Sequence, residues 1–273
     1  DKLVTGVQTC ALPIYCMFTK AISHILSSNK LQIPFYVGVI DLVDPPSVWR
    51  DRNADITFVP TEEIRENYLS SGFEKDKVLV SGFPVRDDIP VLSKPKTIKD
   101  KIHILMVNTS TDLKKNIAFL KEVSKLDNIT IDFICGLDES LYKTLNRMKE
   151  EKKLAAFVNI YGFVSNMNDF LGKAHIILTK AGPNVIIEAV RSGTAIIITG
   201  HIHGQEDNNY RFVLNNGYGI KCEDPSLICD TLKCFIENGD LKESLLHTFE
   251  DKIENGAKFI ADYVENHFTQ HDI

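Results

Sequence analysis

The chain has 273 residues, of which 44% are hydrophobic and 25% charged, enough apolar material for a packed core and against intrinsic disorder as the main state. Lys and Arg number 31 against 37 Asp and Glu, a formal net charge of −6, which argues against a nucleic-acid partner held through phosphate neutralisation. No apolar run reaches the ~18 residues that cross a bilayer, and the six cysteines include no C-x-x-C pair, so they read as reduced thiols in a cytoplasmic protein, neither a zinc site nor a disulfide framework.

The first residue is Asp, and residues 4–14, VTGVQTCALPI, fit a translated frame of a sequencing-library adapter. Positions 1–14 are therefore expected to be an artefact, with the natural chain truncated upstream. From there residues 17–28 read as a helix, and 34–40 (PFYVGVI) as a strand apolar on both faces, as parallel sheets require. A loop at 41–52 contains two prolines, and a short strand at 56–59 follows. Thr61 caps a helix at 62–71 with early acids, which Gly72 ends. Residues 78–81 form a strand closed by Gly82-Phe83-Pro84, and the polar, lysine-rich stretch 87–101 with Pro90 and Pro95 reads as a linker.

Beyond the linker, strands are expected at 102–107, 129–134, 157–160, 176–179, 195–198 and 219–222. Helices fall between them at 113–126, 139–153, 167–173, 184–192, 206–215 and 225–238, and 242–268 forms a long amphipathic helical stretch. Such alternation makes a doubly wound parallel sheet. The expected organisation is a partial α/β domain at 15–86, a hinge at 87–101, a complete α/β domain at 102–241 and a helical tail at 242–273. Ligands of such pairs bind in the cleft between domains, at the carboxyl ends of strands.

The most informative segment is 176–193, IILTKAGPNVIIEAVRSG, where a buried strand runs through Gly182 and Pro183 straight into a helix. Glycine permits close backbone approach, proline suits the first helical turn, and the unpaired amides with the helix dipole form an anion site. An ordinary strand–helix turn has the same spacing. Glu188 is a single acid in an apolar helix; it suits binding of sugar hydroxyls, or marks one solvated turn. In HIHGQEDNN at 201–209, Gln205 and Glu206 place an amide and a carboxylate at the next strand end. His201 and His203 lack a third ligand at a telling spacing and read as surface histidines.

The ordered set of motifs then carries a resemblance. GFVSNMNDFLGKAHIILTKAGPNVIIEAVRSG and HGQEDNNYRFVLNNGYG, with IDLVDPPSVW at 40–49 and FVPTEEIRENYLSSGFEKDKVLVSGFPVR at 58–86, resemble glycosyltransferase family 28. Within it they are most similar to the monogalactosyldiacylglycerol synthases and processive diacylglycerol glucosyltransferases. The resemblance implies an α/β fold of two Rossmann-like domains facing a cleft (GT-B type), the N-terminal, acceptor-side one incomplete. It implies transfer of galactose or glucose from a UDP-sugar, with inversion and without metal or cofactor, to a lipid acceptor, diacylglycerol favoured. Contact with a membrane surface would be peripheral, through the missing N-terminal region.

By the same resemblance, Ala181, Gly182, Pro183 and Asn184 hold the diphosphate, with Arg86 reaching it from the opposite side; Ser110, in a segment that departs from the family, can still donate it a hydrogen bond. Phe163 and Val164 read the uracil edge through the main chain, Glu188 binds the ribose, Gln205 and Glu206 grip the hexose, and Asn209 orders their loop. Asp41 matches the acid of the family's T-D-L segment and is the candidate general base; tying down the loop after it is the other reading of this residue. The sequence departs from the family where Pro46-Ser47 replaces a His-Pro before Trp49, where Asn108-Thr109-Ser110 replaces a glycine-rich turn, and at Asn184. These departures leave open a degenerate, non-catalytic nucleotide-sugar-binding protein or partner subunit. A UDP-sugar epimerase on a similar fold is the weaker option, and the fragment alone is expected to be inactive.

Overall fold

A computed structural model describes residues 12, 16–89, 92–107, 109–202, 206, 208–251 and 253–268. The adapter-like stretch, Leu12 apart, lies outside them, as do Asn108, His203 and Gln205. In chain order the elements are α1 (Cys16–Ser28), β1 (Tyr36–Gly38), β2 (Ile56–Val59), α2 (Glu62–Ser70) and β3 (Val78–Val80). There follow β4 (Ile102–Val107), α3 (Leu113–Val123), β5 (Ile129–Ile134), α4 (Glu139–Glu150), β6 (Val158–Tyr161), α5 (Met167–Lys173), β7 (Ile176–Lys180) and α6 (Pro183–Arg191). Last come β8 (Ala195–Gly200), α7 (Asn209–Asn215), β9 (Gly219–Lys221), α8 (Ile228–Glu237), α9 (Asp240–Glu250) and α10 (Gly256–Phe268). Contacts divide the chain into two compact units, Asp1–Arg86 with Ile253–Ile273, and Asp87–Lys252. Among the described residues no helix is long and apolar enough to cross a membrane.

The first unit holds a parallel sheet in the order β1-β2-β3. Its strand residues are buried almost throughout, because Phe35, Val37, Trp49, Ile64 and Tyr68 fill one core while Tyr36, Ile56 and Phe58 meet Ile260 of α10 in another. Tyr263 and Phe259 of α10 pack edge-on against Phe58, at 5.3 and 6.4 Å between ring centroids. The 34–40 strand is shorter than expected. Pro34 has no N–H to give a ladder, and the Phe35 amide turns to the Asp55 carboxylate at 2.8 Å, so pairing is confined to three residues.

The second unit is a six-stranded, all-parallel sheet in the order β6-β5-β4-β7-β8-β9. The chain runs outward from β4 through β5 to β6, returns to β7 beside β4, and runs outward again through β8 to β9. Helices on both faces explain why Ile176, Ile177, Leu178, Ile196 and Ile197 have no exposed surface; burial of such side chains contributes about 1.5–3 kcal/mol each. The strand order reverses between β4 and β7, and the crevice outside their carboxyl ends is where such sheets bind ligands.

Two expectations are corrected. The helical tail is not one element. Asp251 is extended and ends α9, its carboxylate receiving the Tyr218 hydroxyl, so α9 belongs to the second unit and α10 to the first. Gly256 makes that return possible: a Cβ there would lie 2.2 Å from the Gly82 carbonyl oxygen, and its amide donates to Phe83 at 2.9 Å.

The lysine-rich linker is also fastened down. The Lys96 ammonium donates to the Leu171 and Ala174 carbonyls and the Thr194 hydroxyl at 2.5, 2.6 and 2.7 Å, and burial pushes its pKa down to about 7. Hydropathy reads a lysine as solvent-facing, whereas here its charged head caps carbonyls at the end of α5.

Candidate functional site

At the end of β7 the pairing with β8 slips between Thr179 and Lys180, and the Ala181 amide donates to the Gly200 carbonyl at 2.8 Å. This holds the chain as it turns. Gly182 is then the N-cap of α6 and supplies no side-chain bond, and Pro183 stands in the first turn. Proline has no N–H, and the first intrahelical bond runs from Ile186 to the Gly182 carbonyl at 3.1 Å. The amides of Asn184 and Val185 are therefore the first-turn donors without an intrahelical acceptor, at the positive end of a nine-residue helix. Asn184 is exposed and Gly182 and Pro183 half-buried.

Glu188 lies half-buried on the same helix, six residues past Gly182 and so roughly 9 Å along the axis. The Asn209 side chain, 1% exposed, donates to the Ala181 carbonyl at 3.1 Å, tying the start of α7 to this turn. Glu206 is buried in the same place: one carboxylate oxygen accepts the Ile202 amide at 2.8 Å, and the other stands 4.0 Å from where a Gly182 Cβ would be. The helix expected from 206 begins at 209, because residues 206 and 209 close a loop instead of a helical turn. Gln205 lies outside the described residues.

Across the switch point, the turn after β4 is closed by its own side chains. The Thr109 and Asn116 side chains are hydrogen-bonded, Asn116 donates to the Ser110 carbonyl at 2.9 Å, and the Ser110 hydroxyl accepts the Asp112 amide at 3.0 Å. Asp112 caps α3 through the Lys115 amide. Thr199, at the end of β8, donates to the Thr109 carbonyl at 2.8 Å. Ser110 thus stands on the expected strand end with its hydroxyl proton available to an acceptor. Phe163 and Val164 follow β6, the first 70% exposed and the second half-buried, about 14 Å from β7 at three strand spacings.

His201 is not a surface histidine. Its side chain is 7% exposed and meets the Glu223 carboxylate at 2.6 Å, while Lys221 reaches the same carboxylate at 3.2 Å and lies 4.1 Å from the centre of the Tyr210 ring. Burial raises the Glu223 carboxyl, but the bonds from His201 and Lys221 bring it below its ordinary value overall. Among the described residues no cluster of three or more His, Cys, Asp or Glu could hold a metal ion.

The remaining two candidates belong to the first unit. Asp41 follows β1, is 9% exposed, and accepts the Trp49 indole N–H at 2.5 Å. Arg86 is exposed and ends that unit, one residue after Val85, whose amide donates to Asn255 at 3.2 Å. Sequence reasoning did not single out Trp49, Glu223 or Lys96; a lone tryptophan inside a proline-bounded loop was the available signal for the first.

Residues 108–266 match the glycosyltransferase family 28 C-terminal domain. The chain belongs to this family. Among family relatives, it is 26% identical to monogalactosyldiacylglycerol synthase 3, chloroplastic, of Arabidopsis thaliana, over 82% of this chain and 50% of that one. It is 22% identical to the processive diacylglycerol beta-glucosyltransferase of Bacillus cereus, over 90% of this chain and 66% of that one. The chain thus spans half to two thirds of the length of these relatives. Among solved structures, Anabaena Alr3699/HepE in complex with UDP superposes with a TM-score of 0.58 at 12% identity, over 97% of this chain and 81% of that one. The fold class is the expected one: parallel α/β units of the Rossmann type found in GT-B glycosyltransferases.

Proposed function

We propose that the chain carries the donor site of an enzyme that moves galactose or glucose from a UDP-sugar to a lipid acceptor, diacylglycerol favoured. The observation that carries this reading is the N-terminus of α6, which no side chain caps, at the switch point of a family 28 domain, with Glu188 roughly 9 Å further along. In this reading the Asn184 and Val185 amides receive the diphosphate, Ser110 adds a donor from the β4 turn, Glu188 takes the ribose hydroxyls and the main chain at Phe163-Val164 takes the uracil. The names of the two relatives support the hexose and the lipid, and the UDP complex of a similarly folded protein supports the donor.

The chemistry follows from these parts. Asp41 accepts the proton of the acceptor hydroxyl, the hydroxyl oxygen attacks the anomeric carbon, and UDP departs with inversion. Negative charge develops on the diphosphate as the bond breaks, and the α6 amides with Arg86 stabilise it without a metal ion. Glu206 and Gln205 hold the hexose. Peripheral contact with a membrane surface would deliver the lipid. Titration calorimetry tests the donor site: UDP is expected to bind the chain, and Glu188→Gln to weaken it about 10- to 150-fold, the loss of one charge-assisted bond. Absence of UDP binding, or an unaltered affinity in that variant, overturns the reading.

A second reading, a nucleotide-sugar binder without transferase activity, is favoured by the β4 turn, where the Thr109 side chain, hydrogen-bonded to Asn116, and that of Ser110 stand in place of the family's glycines. It predicts UDP binding with no glycolipid formed from UDP-galactose or UDP-glucose and diacylglycerol.

A further inference from the structure

We propose that Trp49 is the positioning residue for Asp41, its indole N–H holding the carboxylate in one orientation at the carboxyl end of β1. The inference rests on Asp41 serving the proposed reaction, but its geometry stands alone. Trp49 is 2% exposed, and a buried indole N–H needs an acceptor. It finds Asp41 Oδ2, eight residues earlier, at 2.5 Å. Pro45 and Pro46 stand between them and have no backbone N–H of their own to donate.

The short 3₁₀ turn Ser47–Trp49 is closed by Arg50, whose amide donates to the Ser47 carbonyl. This places the indole under the strand end. The loop after β1 is thus both tied down by Asp41 and arranged around it, so the two sequence readings of this residue describe one arrangement.

The surroundings are ionisable on several sides. Cys16 from α1 and Tyr68 from α2 are both held above their ordinary pKa, first by burial and, among the other causes, by the Asp41 charge. Arg50 lies over the Tyr68 ring at 5.4 Å from its centre, donates to Asn67 and sits 3.9 Å from Asp44. The Tyr68 hydroxyl and Arg50 Nε are buried without a hydrogen-bond partner among the described residues. A neutral N–H donor favours the charged carboxylate over the protonated acid. Trp49 therefore fixes both the direction and the ionisation of a group whose proposed task is to receive a proton.

The chain contains a single tryptophan, so its emission reports this contact without any assay of activity. Titration of the full chain from about pH 8 to pH 3 spans the carboxylate range, and a reversible sigmoidal change in Trp49 emission is expected. It should vanish in Asp41→Asn and in Asp41→Ser, which both leave an acceptor for the indole but carry no titrating group. In Trp49→Phe, the ¹³C-carboxyl resonance of Asp41, assigned by its absence from Asp41→Asn, should titrate about 1–2 pH units higher, the loss of one hydrogen bond to the charged form. A purely packing role for Trp49 would lower stability and leave that midpoint in place. An emission change that persists in the foldable Asp41 variant, or an Asp41 midpoint unmoved in Trp49→Phe, overturns the proposal. Failure of UDP to bind would overturn the proposed function and leave this result intact.

Discussion

Two turns leave the same edge of the second sheet on either side of its switch point, and they are built on opposite plans. The turn after β4 meets its own hydrogen-bonding needs with side chains: Thr109, Ser110, Asp112 and Asn116 bond one another, and Asp112 caps α3. The turn after β7 is held from outside, by Gly200 and Asn209, and its N-cap Gly182 offers no side chain. A self-satisfied turn is stable and has little beyond the Ser110 hydroxyl to give an anion, whereas an externally braced one keeps its amides for a ligand. Stability and recognition are thus separated onto neighbouring loops.

The largest effect is expected from giving the second turn the character of the first. Gly182→Asp adds a capping carboxylate in space that a Cβ can occupy, with Glu206 4.0 Å away. Its own bond to the first-turn amides and its repulsion of a diphosphate should lower UDP affinity about 100-fold, while the cap, worth ~1 kcal/mol, holds or raises the melting temperature. Calorimetry beside a thermal melt reads both; equal affinity in the two proteins would mean the α6 amides are not the site. Removing the brace comes next. Asn209→Ala should cost about 1–3 kcal/mol in urea unfolding, because the buried Ala181 carbonyl loses its donor, and should weaken UDP binding as the turn relaxes. A stability loss with unchanged affinity would show that the brace serves the fold alone. The smallest effect belongs to Ser110→Ala, expected to lower UDP affinity about threefold, the low end of one neutral hydrogen bond. A tenfold loss there would mean that the two turns share the diphosphate more evenly than their construction suggests.

Much of this architecture is legible in the residues. Strands at 56–59, 102–107 and 129–134 are read to the residue because runs such as IHILMV and ITIDFI are mostly apolar and bounded by turn formers. The AGP turn of α6 is legible for a similar reason, since glycine and proline at adjacent positions admit few backbone conformations. The Trp49–Asp41 bond is not legible, because hydropathy carries no information on which carboxylate accepts a buried indole N–H. Lys96 misleads in the same way: four methylenes and an ammonium look solvated until three acceptors happen to converge. Helix 242–268 is broken by a contact from outside the local window, where a backbone-to-backbone approach at Gly82 and Gly256 outweighs amphipathic periodicity.

That contact has a consequence for the order of events during synthesis. Val85 bonds to Asn255 across 170 residues, and the β1–β2 surface is covered by α10. The N-terminal strands therefore emerge from the ribosome well before the helix that covers them, while every strand of the second sheet is translated in between. Domains finish as units once their parts are available, so the earliest-made sheet is the last to be completed. A released chain ending before residue 256 would present a finished downstream unit behind an uncovered, adhesive leader.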